Sequence, residues 1–192
     1  MPANKGLHQV VIASLFVATV ALSVSADAVD RCQPLVPLGL AKQIATTYPG
    51  YRLPRGTDQD IYNVRYNLKH GGSGCLGVAT GDFDGDGRRD VALLLTAKGK
   101  PEGLVVVALR RGTRWHLELV ETVKDPISRR YVGSVEPGEY GPGPFWGESP
   151  PEPNEMETIK SSTEGVATGM LESTARYYFR VNGQWRFVSI SD

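Results

Sequence analysis

The sequence predicts an α+β fold, a twisted and mainly antiparallel sheet of six to eight strands with one N-terminal helix packed on it. Apolar residues recur with a period of two through most of residues 61–190, which is typical of strands. Short loops join neighbouring apolar segments, and this favours antiparallel pairing. One early segment, residues 37–50, has helical spacing instead. These three observations together indicate the fold class.

Composition limits the number of domains and the class of partner. The 192 residues include 21 basic and 21 acidic side chains, and 41% of the residues are hydrophobic. This apolar content is enough for one core, so we expect residues 29–192 to form a single domain. A general nucleic-acid binder would have a basic excess, which this chain lacks.

The first 28 residues have the layout of a secretory signal peptide. Lys5 precedes an apolar segment, Val10 to Val24, that is short for a membrane span. Small residues then offer cleavage after Ala26 or after Ala28; an uncleaved N-terminal anchor is the alternative. We therefore expect a periplasmic or secreted protein with no membrane span after processing.

Cys32 and Cys75 are the only two cysteines. In an oxidising compartment an even number of cysteines favours a disulfide. The bridge would close a loop of about forty residues and stabilise the fold by roughly 3 to 4 kcal/mol in the chain-entropy estimate. The alternative is a reactive Cys75 assisted by His70, but nothing nearby in the sequence indicates a lowered thiol pKa.

The predicted elements follow from local patterns. The helix begins behind Pro37, because the apolar residues of 38–45 share one stripe, and Pro49-Gly50 ends it. Residues 61–68, "IYNVRYNL", alternate and are predicted to be a half-buried strand. The Asn182-Gly183 pair suits a type I′ turn between two alternating segments. Further strands are predicted at 75–83, 90–97, 103–111, 114–123, 165–172 and 175–190.

Residues 136–155 interrupt the pattern with six prolines and four glycines. This composition excludes a central strand or a helix and predicts a long surface loop. Tyr140, Phe145 and Trp146 stand among the prolines and glycines. Long loops in compact domains are often functional, so these aromatics are candidate partner-binding residues. The alternative is that Phe145 and Trp146 cover one edge of the sheet.

The segment "GDFDGDGRRD", residues 81–90, concentrates carboxylates around two glycines. Alternating oxygen donors on a tightly turning backbone suit Ca²⁺, whereas Mg²⁺ seldom uses an all-protein site and zinc would need a nearby histidine or free cysteine. The predicted ligands are the carboxylates of Asp82, Asp84, Asp86 and Asp90 and the main-chain carbonyl of Arg88. The alternative is a metal-free turn, in which close carboxylates repel by roughly 1 kcal/mol per pair.

This segment resembles the calcium loop of the FG-GAP and VCBS repeats of integrin α-subunits and many secreted bacterial proteins. Those loops read D-x-D-G-D-G-x-x-D before a short apolar strand. The resemblance implies a calcium loop with the same four aspartates and the Arg88 carbonyl as ligands. The motif occurs once, and the Phe-Gly and Gly-Ala-Pro signatures are missing, so a propeller is not expected. The chain is similar instead to small exported bacterial proteins with a solitary loop.

The sequence lacks the nucleophile-elbow, zinc-protease and phosphate-loop motifs. His70 lies in a glycine-rich turn and His116 in an alternating segment, and neither is expected to be catalytic. The expected function is a calcium-stabilised, non-catalytic binding or interaction module with an unidentified protein or glycan partner in the envelope. Two alternatives stay open: a small envelope hydrolase that uses Ca²⁺, and an inhibitor or immunity-type protein acting through residues 136–155.

Overall fold

The computed structural model describes residues 30–142, 146–148, 150–171 and 173–191. The predicted signal peptide, residues 1–28, and Phe145 lie outside the described residues. Within the described ranges, none of the helices is long and apolar enough to cross a membrane.

The described chain forms two α-helices and eleven strands, all paired strands being antiparallel. The helices are α1 (Leu38–Thr47) and α2 (Ile61–Lys69). The strands are β1 (Tyr51–Arg52), β2 (Val78–Gly81), β3 (Asp90–Ala97), β4 (Gly103–Arg111), β5 (Arg114–Val123), β6 (Arg130–Val135), β7 (Gly138–Tyr140), β8 (Ile159–Ser161), β9 (Gly165–Met170), β10 (Thr174–Val181) and β11 (Gln184–Ser191).

These elements confirm the predicted α+β class, but the strands belong to more than one sheet. Strands β1 to β5 form a five-stranded sheet, here called sheet A. Strands β11, β10, β9 and β6 form, in that order, a four-stranded sheet B, and β7 pairs with β8 in a two-stranded ribbon. The single sheet of six to eight strands predicted from sequence is therefore two sheets and a ribbon.

Sheet A lies between two apolar cores. One face packs against Leu40 and Ile44 of α1, and the other packs against sheet B through side chains such as Phe83 and Tyr178. Strands β3 and β4 are buried over most of their length because they occupy the middle of these layers. Both strands are therefore apolar without strict alternation.

A β-bulge changes the alternation in β5. Val106 pairs with Leu119, whereas the preceding Val105 pairs with Glu121, so Val120 is an extra residue in the strand. Beyond the inserted residue, each side chain points to the face opposite to the one that strict alternation would give it. As a result Glu118 and Glu121, three positions apart, both reach the side chains of sheet B.

The prediction of a strand at residues 61–68 was wrong, because this segment is helix α2. The Asp60 side chain caps the helix by accepting a hydrogen bond from the Tyr62 N–H at 2.8 Å. Val64 is the single buried residue of α2, so the helix rests on the domain through a narrow stripe. The described chain consequently has two α-helices where one was expected.

Several local predictions are confirmed. Helix α1 spans Leu38–Thr47, and strands β3, β4 and β5 coincide with the predicted segments. Asn182 and Gly183 have φ angles of 50° and 77°, the left-handed values that a type I′ turn requires.

The predicted disulfide between Cys32 and Cys75 is present, and both cysteines are buried. It joins the start of the described chain to the loop that leads into β2. A bonded sulfur is not a nucleophile, so the alternative of a reactive Cys75 is excluded for this state of the protein.

Candidate metal centre

The aspartate-rich segment connects β2 to β3. Among the described strands, β2 pairs only with β3 and lies at the margin of sheet A, whereas β3 is central. Between them the backbone turns sharply at Gly85 and Gly87, whose φ angles of 76° and 78° lie in the left-handed region. Glycine adopts this region without steric cost, which explains the two glycines of the segment. We refer to residues 82–90 as the acidic loop.

Three aspartates of the acidic loop converge. Asp82, Asp84 and Asp86 each offer one carboxylate oxygen, and these three oxygens lie within 4.8 Å of one another. Alternate residues converge because the tight turns wind the backbone around one side of the loop. Carboxylate oxygens at this spacing are ligands of the kind that hard cations prefer. The cluster could therefore hold a metal ion.

The Asp82 carboxylate organises the backbone of the loop. Its Oδ1 atom accepts hydrogen bonds from the N–H groups of Gly85 at 2.9 Å and Asp86 at 3.0 Å. Its Oδ2 atom accepts a third from the Gly87 N–H at 2.9 Å. Main-chain donors aimed at one carboxylate hold the loop in a turned conformation that brings the other two carboxylates close.

An arginine outside the loop supplies a positive charge. Arg111, the last residue of β4, places Nη1 3.1 Å from Asp86 Oδ2 and pairs through Nη2 with Asp84 Oδ2. The pKa of Arg111 is raised above its ordinary value, chiefly by Asp84. The Asp84 side chain is only 3% exposed, and its Oδ2 atom has this ion-pair contact but no hydrogen bond of good geometry. Arg111 thus neutralises part of the loop's charge.

Asp90 has a different environment from the other three aspartates. It is fully buried, and its two oxygens accept hydrogen bonds from the N–H groups of Phe83 at 3.0 Å and Arg110 at 2.7 Å. Burial raises its pKa to about 6, against the lowering effect of these two hydrogen bonds. Asp90 ties the loop to β4, and it is not in the group formed by Asp82, Asp84 and Asp86. Its role as a ligand stays a prediction.

Arg88, the fifth predicted ligand, has an exposed side chain, and its N–H donates to Asp86 Oδ1 at 3.0 Å. The predicted ligand in this residue is its carbonyl oxygen, and that assignment also stays a prediction. Of the five predicted ligands, the structure brings together the carboxylates of Asp82, Asp84 and Asp86.

Glu164, next to the start of β9, was not anticipated from the sequence. Its Oε2 atom accepts a hydrogen bond from the Asp82 N–H at 2.6 Å and forms an ion pair with Arg89 Nη1 at 3.0 Å. The contact joins the acidic loop to sheet B across 82 positions of sequence. Such a partner is visible only once the two sheets are packed.

The other residues singled out from the sequence lie elsewhere. His70 is exposed, stacks on Tyr66 with ring centroids 4.1 Å apart, and has Nδ1 2.8 Å from the Tyr66 carbonyl oxygen. His116 Nε2 lies 3.3 Å from Glu118 Oε1 on an exposed stretch of β5. The two histidines occupy different elements, and neither contacts the acidic loop through any described interaction.

Of the two aromatic residues of the 136–155 segment that the structure describes, Tyr140 packs against sheet B. Tyr140 ends β7, and its ring stacks on Phe179 of sheet B with centroids 5.1 Å apart. A second contact, edge-on to Tyr177, has a centroid distance of 5.5 Å. Trp146 is half-buried. Tyr140 therefore covers part of sheet B. The alternative stated above assigned such a covering role to Phe145 and Trp146, and for those two residues it stays a prediction.

Comparison of the chain with protein-family models, with curated proteins and with solved structures finds no match in any of the three.

Proposed function

We propose that this protein is an exported, calcium-binding module without catalytic activity, in which the ion stabilises the acidic loop. The observation that carries the proposal is the convergence of Asp82, Asp84 and Asp86, with ligand oxygens within 4.8 Å of one another. Export is supported by the buried Cys32–Cys75 bridge, because disulfides persist in oxidising compartments.

Calcium is the favoured ion for chemical reasons. The candidate ligands are all oxygens, carried on a tightly turning loop with two left-handed glycines, which suits the six to eight ligands and variable geometry of Ca²⁺. The resemblance of the acidic loop to FG-GAP and VCBS calcium loops supports the same choice. In this structure Arg111 supplies the positive charge beside Asp84 and Asp86. A bound cation would supply that charge instead, and these two carboxylates would then bind it together with Asp82.

The proposed role of the ion is structural. The acidic loop contacts β4 through Asp90 and Arg111 and contacts sheet B through Glu164. An ion that fixes the carboxylates would therefore fix the relative positions of both sheets at this end of the domain. Such a module offers a rigid surface to a protein or glycan partner in the envelope.

Thermal unfolding with Ca²⁺ and with EGTA tests this proposal. At free Ca²⁺ one hundred times its dissociation constant, binding to the folded state adds roughly 2.7 kcal/mol of stability. Asp84→Asn should remove most of this increment, because it replaces a buried carboxylate of the cluster. Glu139→Gln, an exposed acid on the ribbon, is the matched control and should keep it. Equal melting temperatures of the wild type in Ca²⁺, Mg²⁺ and EGTA would refute calcium stabilisation.

A further inference from the structure

A cleft lies between β5 of sheet A and the hairpin formed by β10 and β11 of sheet B. It consists of two adjoining cavities of about 410 and 510 Å³. Both cavities are lined by Glu121, Thr122, Glu152 and Arg176, so they meet at these residues. We call this space the interlayer cleft. Its volume is in the range of small-molecule sites, and the acidic loop is not part of its lining.

The first cavity has two guanidinium groups facing one carboxylate. Glu121 Oε1 accepts a hydrogen bond from Arg130 Nη2 at 2.7 Å, and Arg176 Nη1 lies 3.6 Å from the same oxygen. The side chains of Arg130 and Glu121 are each 10% exposed, and that of Arg176 is 31% exposed. The deep part of the cleft therefore has an excess of positive charge.

The hydrogen bonding of this group is incomplete. Glu121 Oε2 and Arg130 Nε are buried and have no hydrogen-bond partner among the described residues. Buried charged groups are normally paired and fully hydrogen-bonded, because removing them from water is costly. An arrangement left short of partners beside an open cavity indicates a place for a further polar group.

The acids that complete the charge balance lie at the rim. Glu152 pairs with Arg176, but its side chain is 55% exposed, and the exposed Asp125 lies 3.9 Å from Arg130 Nη1. Solvent-exposed ion pairs contribute little to stability. A carboxylate on a ligand could therefore take the place of Glu152 on Arg176 at small cost and form the two parallel hydrogen bonds that guanidinium groups favour.

The second cavity offers surfaces for a ring with polar substituents. Trp185, Tyr178 and Phe187 supply aromatic rings, and Gln184 and Asn154 supply amide groups. The Arg176 guanidinium lies over the Phe187 ring, 4.8 Å from its centroid, so the charged and aromatic parts of the cleft are contiguous. The lining of this cavity is more polar than apolar, which suits a ligand with several hydroxyl groups.

We propose that the interlayer cleft binds an acidic sugar, a hexuronic acid unit of a glycan. Its carboxylate pairs with Arg176 and Arg130, and its ring lies along Trp185 with hydroxyl groups toward the amide side chains. A neutral sugar has no carboxylate to replace Glu152 on Arg176, and a simple carboxylic acid would leave the aromatic cavity empty. This proposal does not depend on calcium binding, because the cleft and the acidic loop share no lining residue.

Titration of the full processed protein with D-galacturonate and D-glucuronate, followed by calorimetry and tryptophan fluorescence at low ionic strength, tests the proposal. The matched neutral probes are D-galactose and D-glucose, and acetate tests the carboxylate alone. We expect at least one uronate to bind tenfold more tightly than its neutral parent and than acetate. Equal affinity for acid and neutral sugar, or no binding of either uronate at 20 mM, would overturn the proposal.

Two variants with opposite expected effects locate the site. Arg176→Gln should weaken uronate binding at least tenfold. Arg114→Gln, at an exposed arginine that begins β5, should not change it. Glu152→Gln removes the competing rim acid, so it should strengthen uronate binding several-fold. If Arg176 and Glu152 had only a structural role, Glu152→Gln would not strengthen uronate binding. If Arg176→Gln fails to fold, an unchanged or weaker affinity of Glu152→Gln still overturns the assignment.

Discussion

Arg111 and Asp86 are joined by an ion pair of 3.1 Å, so the charge that balances the acidic loop comes from a neighbouring strand. The same guanidinium also pairs with the buried Asp84. Four aspartates within nine positions would otherwise repel one another. An ion bound to the cluster and Arg111 would compete for the carboxylates of Asp84 and Asp86, so removal of Arg111 would raise the affinity of the proposed site.

Arg111→Gln should therefore bind Ca²⁺ more tightly than the wild type, by about tenfold. Its stability in EGTA should fall by no more than about 1 kcal/mol, because Arg111 is exposed and exposed ion pairs contribute little. Calorimetric titration and unfolding in EGTA measure the two effects. The control is Arg110→Gln, whose side chain lies instead over Trp115, 5.8 Å from the ring centroid. Calcium affinity that falls in Arg111→Gln would mean that Arg111 supports the site.

Asp90→Ala should destabilise the protein by about 3 kcal/mol whether or not calcium is present. The substitution leaves the N–H groups of Phe83 and Arg110 buried without an acceptor, and each unsatisfied group costs about 1 to 3 kcal/mol. Asp84→Asn should cost far less in EGTA, because Asp84 has no such backbone contacts beyond the loop. Urea unfolding in EGTA separates the two variants. A loss below 1 kcal/mol for Asp90→Ala would contradict its structural role.

Removal of the Cys32–Cys75 bridge should lower the free energy of unfolding by about 4 kcal/mol. The bonded residues are 43 positions apart, and the chain-entropy estimate for a loop of that length gives this value. The double variant Cys32→Ser, Cys75→Ser is compared with the wild type by urea unfolding, with reduced wild type as a second reference. If the double variant and the reduced wild type were both as stable as the oxidised wild type, the bridge would not constrain the unfolded chain.

Tyr140→Ala should destabilise the fold by about 2 kcal/mol, because the half-buried ring contacts Phe179 and Tyr177. Tyr62→Ala is the matched control, since the Tyr62 side chain is exposed on α2 and its loss should change stability by less than 0.5 kcal/mol. Thermal melts compare the two variants. Similar melting temperatures for both would leave Tyr140 available for partner binding, as the loop-recognition alternative requires.

Local signals explain which parts of the fold are predictable from the sequence. Strand β3, the β10–β11 hairpin and helix α1 each follow from residues that are close in the chain. The strand prediction for helix α2 was wrong because its mixed apolar and polar residues do not alternate strictly. Ile61, Val64 and Leu68 recur at helical spacing instead. The Asp60 cap and the spacing of Tyr62 and Tyr66 by four were the signals for a helix.

The candidate sites depend on contacts that sequence spacing does not encode. The motif of the acidic loop identified Asp82, Asp84 and Asp86, but the partners Arg111 and Glu164 come from distant strands. The interlayer cleft has no motif at all. Its arginines and acids are brought together by the packing of two sheets. In the sequence Glu121 and Arg176 look like ordinary polar residues of half-buried strands, and Glu152 is one of several acids in the proline-rich segment.

The bulge at Val120 separates spacing in the sequence from position in the sheet. Glu118 and Glu121 stand opposite Val107 and Val105 and share the face toward sheet B, although they are three positions apart. Deleting Val120 would remove the extra residue and leave Glu121 opposite Val105, so the shortened strand would keep both acids on this face, two positions apart. Among related chains that differ by one residue here, the acids of the cleft would therefore have to be matched by their partners on β4 and not by a count along the chain.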